Sequence, residues 1–367
     1  MKRKTTPPTA RRISFRINTM HPLPVGEQVF ISGNVSALGG WDPASFALAR
    51  RDDLVWEGDI IVPSDVPVEY KITRGSWDTE EVLANGRLPD NHLIPPGADI
   101  TEEHTVRQWH DQRIVQPRIV GAYRVHERVA SEHLRHERTV IVWLPPSYET
   151  DPDRRYPVLY MHDGQQVFDP NTSTWGQDWE VDEWCTKLIK EGRLQEIIVV
   201  GIYSTPDRFV EYNPSELGEA YTRFVVEELK PFIDRTYRTR PDRAHTAVAG
   251  ASMGGGISFY MAWTRPDVFF GAACLSSAFE YKQDRYTLDL VKKTRTAPDL
   301  RLFLYCGQGD DLERRLTGDL HAMLEVLAEK GIRPGENLLV SEDPEAAHNE
   351  AAWARHTDHW LLFLFGA

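Results

Sequence analysis

The chain has 367 residues, 41% of them apolar and 26% charged, which excludes wholesale disorder and suggests two domains. A formal net charge of −13 disfavours nucleic acid and anionic membranes as partners. The 3 cysteines, Cys185, Cys274 and Cys306, share no C-x-x-C spacing. That pattern argues against a disulfide framework or a structural zinc site, and for buried free thiols.

The first stretch, Met1 to Arg12, is basic and rich in Pro and Thr, with no apolar run behind its charges. It reads as a disordered tail (residues 1–12) rather than a signal peptide. No segment approaches the roughly 18 apolar residues of a membrane helix. A cytoplasmic protein is expected, or a secreted one if the natural start lies further upstream.

Residues 13–112 follow with short β-like runs: Ile13 to Thr19, Gln28 to Ser32, Leu54 to Val62, Val68 to Thr73 and Thr105 to Trp109. Gly, Pro, Asn and Asp clusters separate them, and no long amphipathic helix intervenes. This rhythm predicts a small all-β sandwich. The polar stretch His110 to Pro117 reads as the connection.

From residue 119 to 367 the rhythm changes. Strand patterns at Val158 to His162, Ile197 to Tyr203, Thr246 to Ala249, Gly271 to Leu275, Leu302 to Cys306 and Leu338 to Val340 alternate with helical ones. The helical stretches lie around Trp179 to Lys190, Leu217 to Phe232, Gly255 to Trp263, Leu312 to Lys330 and Glu350 to Leu364. The alternation predicts an α/β domain, a mainly parallel sheet with helices on both faces. Gly121 to Ala130 and Arg138 to Leu144 are expected to form its antiparallel edge.

Gly250-Ala251-Ser252-Met253-Gly254 follows a strand and opens a helix. That context places a serine on a sharp elbow at the carboxyl end of a sheet, as in an α/β-hydrolase. A serine hydroxyl needs a base, and in this fold the acid and histidine follow it in that chain order. The strand ending at Cys306 leads into Gly307-Gln308-Gly309-Asp310-Asp311, and the last strand leads into a loop holding His348. His348 is therefore expected to be the general base and Asp310 the residue that orients it. Asp311 is an alternative that also suits a helix cap, and Glu342 and Asp343 stand further off. His356 and His359 sit within the final helix, and His245 precedes the serine. Two N–H donors are expected to form an oxyanion hole, from Met253 and from Gln165 in the loop His162-Asp163-Gly164-Gln165-Gln166. His126, His133 and His136 show no metal-ligand spacing, so no metal and no cofactor is expected.

Residues 119–367 resemble the esterase family that includes esterase D, enterochelin esterases and feruloyl esterases. The matching segments are Leu144-Pro145-Pro146-Ser147-Tyr148, Tyr156-Pro157-Val158-Leu159-Tyr160-Met161-His162-Asp163-Gly164-Gln165, and Arg208-Phe209-Val210-Glu211-Tyr212. Glu228-Leu229-Lys230-Pro231-Phe232-Ile233-Asp234, the elbow, and Arg265-Pro266-Asp267-Val268-Phe269 complete the set. The resemblance implies an α/β-hydrolase fold, metal-free ester hydrolysis through an acyl-enzyme, and the roles given above to Ser252, Asp310, His348, Gln165 and Met253. Asp163, Gln166, Arg208 and Tyr212 are candidate substrate-binding residues. The chain departs from the family at Ser276-Ser277-Ala278-Phe279-Glu280, where relatives often read Ser-Pro-Ser-Phe-Trp. It also lacks a basic cluster for an anionic siderophore.

The first domain resembles the family 20 starch-binding module through Ser32-Gly33-Asn34, Leu38-Gly39-Gly40-Trp41-Asp42-Pro43, Trp56-Glu57, Val68-Glu69-Tyr70-Lys71-Ile72 and Gly75-Ser76-Trp77. Trp41, Lys71 and Trp77 are its candidate glycan-binding residues, with an α-glucan as the implied partner. The expected substrate is a small-molecule or carbohydrate ester. The rival readings are an acyltransferase to a sugar or alcohol, a siderophore esterase, and a non-catalytic glycan-binding protein.

Overall fold

The structure, a computed structural model, describes residues 10–24, 26–83, 88–112, 118–280, 285–335 and 337–367. It divides into two compact units, Met1–Pro117 and Arg118–Ala367.

The first unit is all β. Its strands are β1 (Ala10–Thr19), β2 (Phe30–Gly33), β3 (Phe46–Ala47), β4 (Ala49–Arg50), β5 (Val55–Pro63), β6 (Val68–Thr73), β7 (Glu81–Val82), β8 (His92–Ile94), β9 (Ile100–Val106) and β10 (Gln108–Trp109). They form one sheet in the order β4-β5-β1-β9 and a second in the order β3-β2-β6-β8, with β7 and β10 as a short ribbon. Alternation decides which side chains enter: Ile13, Phe15 and Ile17 of β1 join Ile31, Trp56, Tyr70 and Ile72 in one apolar core.

The expected tail is corrected here. Residues 1–9 lie outside the described residues, but Ala10, Arg11 and Arg12 are strand. They pair with Pro63, Val62 and Ile61 of β5. The Arg11 guanidinium donates to the carbonyls of Pro95 and Val66, and Arg12 N–H donates to Asp99. The strand is held by its backbone pairing with β5, with the Arg11 guanidinium taken up by these carbonyls and the Arg12 side chain left exposed.

The second unit contains β11 (Ala122–Val129), β12 (Arg138–Leu144), β13 (Val158–His162), α1 (Val181–Lys190), β14 (Ile198–Ile202), α2 (Arg208–Glu211), α3 (Glu216–Arg223) and α4 (Lys230–Thr236). There follow β15 (Thr246–Ala251), α5 (Met253–Thr264), β16 (Gly271–Leu275), α6 (Tyr286–Lys293), β17 (Arg301–Gly307), α7 (Asp311–Glu329), β18 (Leu338–Asp343), α8 (Glu350–Ala354) and α9 (Thr357–Phe365). The sheet runs β11-β12-β14-β13-β15-β16-β17-β18. β11 and β12 are antiparallel, and the strands from β14 to β18 pair in parallel. The central strands are buried throughout, with Val158, Tyr160, Val200 and Val248 packing on one face and Leu159, Met161, Val199 and Ala247 on the other. Cys185, Cys274 and Cys306 are buried free thiols. The family-type α/β-hydrolase architecture and the β-sandwich before it are both present.

The helix expected from Leu217 to Phe232 is broken. A π-helical turn, Phe224–Leu229, separates α3 from α4. Pro231 lies at the start of α4 and has no N–H to return to the preceding turn, which loosens the helix there.

Candidate active site

Ser252 stands between β15 and α5 with φ 57° and ψ −125°. For a residue with a Cβ this backbone costs roughly 1–3 kcal/mol, which the surrounding fold must hold. It is held from both sides: Ser252 N–H donates to Leu275 O at 2.9 Å, and Ala278 N–H donates to Ser252 O at 3.1 Å. Gly250 has no alternative, because a Cβ there would lie 2.6 Å from the Gly254 carbonyl carbon. Gly255 is equally tight, with Ser277 Oγ 2.3 Å from where its Cβ would be. The elbow is thus compressed against the loop that follows β16.

His348 sits in the loop between β18 and α8. Its Nδ1 lies 2.6 Å from Glu313 Oε1. A carboxylate can only accept, so Nδ1 carries the proton and Nε2 is left with its lone pair. The ring meets Trp353 edge to face, with centroids 5.1 Å apart.

Here the structure corrects the expected acid. The carboxylate on the imidazole is Glu313, in the first turn of α7. Asp310 instead caps that helix, its Oδ1 accepting from Glu313 N–H and its Oδ2 from His348 N–H, each at 2.8 Å. Asp310 therefore fixes the backbone of both partners without touching the ring. Asp311 points into solvent and pairs with Arg314. The Asp-x-x-Glu spacing from 310 to 313 was the available signal, since it is the pattern of a capped helix start. A capping glutamate usually turns back to its own cap. Glu313 turns instead to Gly307 N–H at 2.6 Å and to the imidazole.

Glu313 is fully buried. Burial alone would raise its pKa, but hydrogen bonds from His348, Ser276 and Cys306 outweigh it and hold the carboxyl below its usual range. Ser276 has φ 43° and its Oγ accepts from Trp353 Nε1 at 3.0 Å. The segment in which the chain departs from the family it resembles thus supports the acid and the aromatic wall beside His348.

Ser252 and His348 line one pocket of about 360 Å³, together with Asp163, Gln165, Gln166 and Arg208. It lies at the carboxyl ends of the strands, where ligands of open α/β sheets bind. A larger cleft of about 440 Å³, around Arg243, Phe270 and Arg301, lies at the opposite ends and lacks a serine–histidine pair. Asp163 and Arg208 form a bidentate ion pair, with both contacts 2.7 Å. The pair and burial fix the loop after β13, where Asp163 adopts φ 55°. Gln165 is anchored at both ends of its amide, donating to Ser204 Oγ at 2.8 Å and accepting from Ser204 N–H at 3.1 Å. Met253 heads α5, where first-turn N–H groups have no partner within the helix.

Tyr212 is not a pocket residue. It is buried in the core, its ring beside Tyr221 and its hydroxyl accepting from Asp163 N–H at 3.2 Å. It supports the loop from behind. Trp175, Phe209 and Glu350 are among the lining residues that were not foreseen. Trp175 and Phe209 are 70% and 60% exposed, leaving two aromatic faces open at the pocket. Glu350 is buried, and its carboxyl pKa is raised first by burial and then by the charge of Asp163, against the pull of His348 and Arg208. His162 is held neutral: burial and the charges of Arg208 and Arg138 lower its pKa to about 3.

In the first unit, Trp77 is 39% exposed and Trp41, at φ 72°, is half-buried. Lys71 is committed to Glu80 at 2.6 Å and to Pro89 O at 3.0 Å. Tyr70 belongs to the core.

Residues 131–356, more than half of the chain, match the family model described as "Putative esterase", and residues 11–92 match that of the "Starch binding domain". The uncharacterized protein YbbA of Bacillus subtilis is 24% identical, over 64% of this chain and 96% of its own. The endo-1,4-beta-xylanase/feruloyl esterase of Xylanibacter ruminicola is 26% identical over 64% of this chain, which spans only 30% of that protein. The crystal structure of the ferric enterobactin esterase of Salmonella typhimurium superposes with a TM-score of 0.55 at 16% identity, covering 99% of this chain and 97% of that one. The last of these shows the fold alone.

Proposed function

This chain belongs to the Putative esterase family, and we propose that it hydrolyses a carboxylic ester through an acyl-enzyme on Ser252. The observation that carries this reading is that His348, hydrogen-bonded from behind by Glu313, lines the same pocket as Ser252. His348 Nε2 takes the hydroxyl proton as Ser252 Oγ adds to the ester carbonyl. The N–H groups of Met253 and Gln165 stabilise the oxyanion, and Glu313 stabilises the imidazolium. Collapse breaks the C–O bond, and His348 returns the proton to the departing alcohol. Water then adds to the acyl-serine, with His348 again the base, releasing the acid and Ser252.

The substrate class proposed is an acylated carbohydrate or small ester, its acyl group resting on Trp175 and Phe209. The N-terminal unit, through Trp77 and Trp41, would hold the enzyme on an α-glucan. The test is turnover of p-nitrophenyl acetate by the wild type and Ser252→Ala, with intact-protein mass spectrometry during turnover. A covalent acyl adduct and its loss with Ser252→Ala support the reading; equal rates in the two proteins overturn it.

A further inference from the structure

Outside the pocket, the N-terminal unit gathers a carboxylate and two imidazoles. Glu81 Oε2 lies 3.0 Å from His92 Nε2, and Glu81 Oε1 lies 2.5 Å from His104 Nε2. The three ligand atoms fall within 4.8 Å of one another. The two rings meet edge to face, centroids 4.5 Å apart, and Tyr70 stacks on His92 at 4.9 Å. Both nitrogens that could bind a metal therefore converge on one carboxylate, with ring orientations already fixed.

The placement in the fold is specific. His92 lies on β8, the edge of one sheet, and His104 on β9, the edge of the other. Glu81 lies on β7, between them. The side chain of Glu81 is 5% exposed, while those of His92 and His104 are 20% and 26% exposed, so the cluster opens to solvent on its imidazole side.

Charge completes the argument. Among the described residues, no Lys or Arg pairs with Glu81; its only ion-pair partners are the two histidines. The nearby cation Lys71 is committed to Glu80.

We propose that Glu81, His92 and His104 are the protein ligands of a zinc ion, with solvent completing a four-coordinate shell. Two imidazole nitrogens and one carboxylate oxygen suit zinc, and three protein ligands leave one position for water. Each imidazole carries its proton on Nδ1 when the metal takes Nε2, and the ion's charge offsets that of the Glu81 carboxylate. The ion would tie the open edges of the two sheets together. The ligands come from three strands rather than a short spacing, which is why no metal motif is visible in the sequence.

The experiment uses the untagged full chain, stripped with chelator, titrated with zinc and separately with cobalt. The expected result is one zinc per chain, a visible cobalt absorption band, and a zinc-dependent rise in Tm. His92→Gln with His104→Gln keeps donors to Glu81 but should weaken zinc binding by about 10-fold or more and abolish the cobalt band, with ester turnover unchanged. Equal zinc uptake by variant and wild type, or no uptake by the wild type, overturns the proposal. Should the variant fail to fold, zinc X-ray absorption of the wild type decides. Two imidazoles and a carboxylate at about 2.0–2.2 Å support the site, and any other set overturns it.

Discussion

Glu313 and His348 share one short hydrogen bond, 2.6 Å from Oε1 to Nδ1, while Asp310 holds the backbone of both. One carboxylate works on the ring and the other on the frame. The two roles separate cleanly in their consequences.

Glu313→Gln offers an amide that can donate to Nδ1 and so favours the wrong tautomer, leaving Nε2 protonated. We expect kcat to fall by about 10³–10⁴-fold with little change in KM. Asp310→Ala removes a helix cap and should cost about 1 kcal/mol of stability, with a loss of activity below about 10-fold at temperatures where the chain is folded. Steady-state kinetics beside thermal melts distinguish the two; a larger kinetic loss from Asp310→Ala than from Glu313→Gln would return the acid's role to Asp310.

A second prediction concerns pH. Asp178, Asp182 and Glu183 bring three carboxyl groups together. Burial, then the neighbouring acids, raise the pKa of Asp178 to about 7 and raise that of Asp182 as well. A carboxyl whose pKa is higher folded than unfolded holds its proton better in the folded chain. Stability is therefore lost as pH rises from the ordinary carboxylate range through the raised values. Asp182→Asn keeps an acceptor for Val120 N–H, a contact of 2.5 Å in the wild type. It should melt higher than wild type at pH 9 by a margin worth about 1 kcal/mol or more, roughly 2–4 °C per kcal/mol, and the margin should shrink towards pH 5. A margin independent of pH would refute the assignment.

A third prediction concerns the exposed aromatics. Trp175→Ala should raise KM for aromatic acyl esters by about 3–10-fold, the value of one stacking contact, while leaving p-nitrophenyl acetate nearly unchanged. An equal effect on both substrates would mean that the indole shapes the pocket rather than binding the acyl group. Phe209→Ala should show the same selectivity.

Much of the architecture was legible because periodicity is a local property. Alternating apolar positions in β1 and β5 and the continuous apolar runs of β13, β14 and β15 announced a sandwich and a buried parallel sheet. The π-helical turn was not legible, since it depends on what Pro231 withholds from a helix that otherwise looks regular. Nor was the strand at Arg11 and Arg12, where the charge of Arg11 reads as solvated until the carbonyls of Pro95 and Val66 are brought beside it.

By itself the amino-acid order determined the elbow and its serine, because the glycine at 250 and the strand-to-helix change are encoded within a few residues. It also determined the histidine, placed in the loop after the last strand. Which acid meets that histidine was decided only in three dimensions. Asp310 and Glu313 lie one helical turn apart, and chain order cannot tell which of two neighbouring carboxylates faces inward. The capped start of α7 settles it, spending Asp310 on backbone amides and turning Glu313 into the buried side where the imidazole waits.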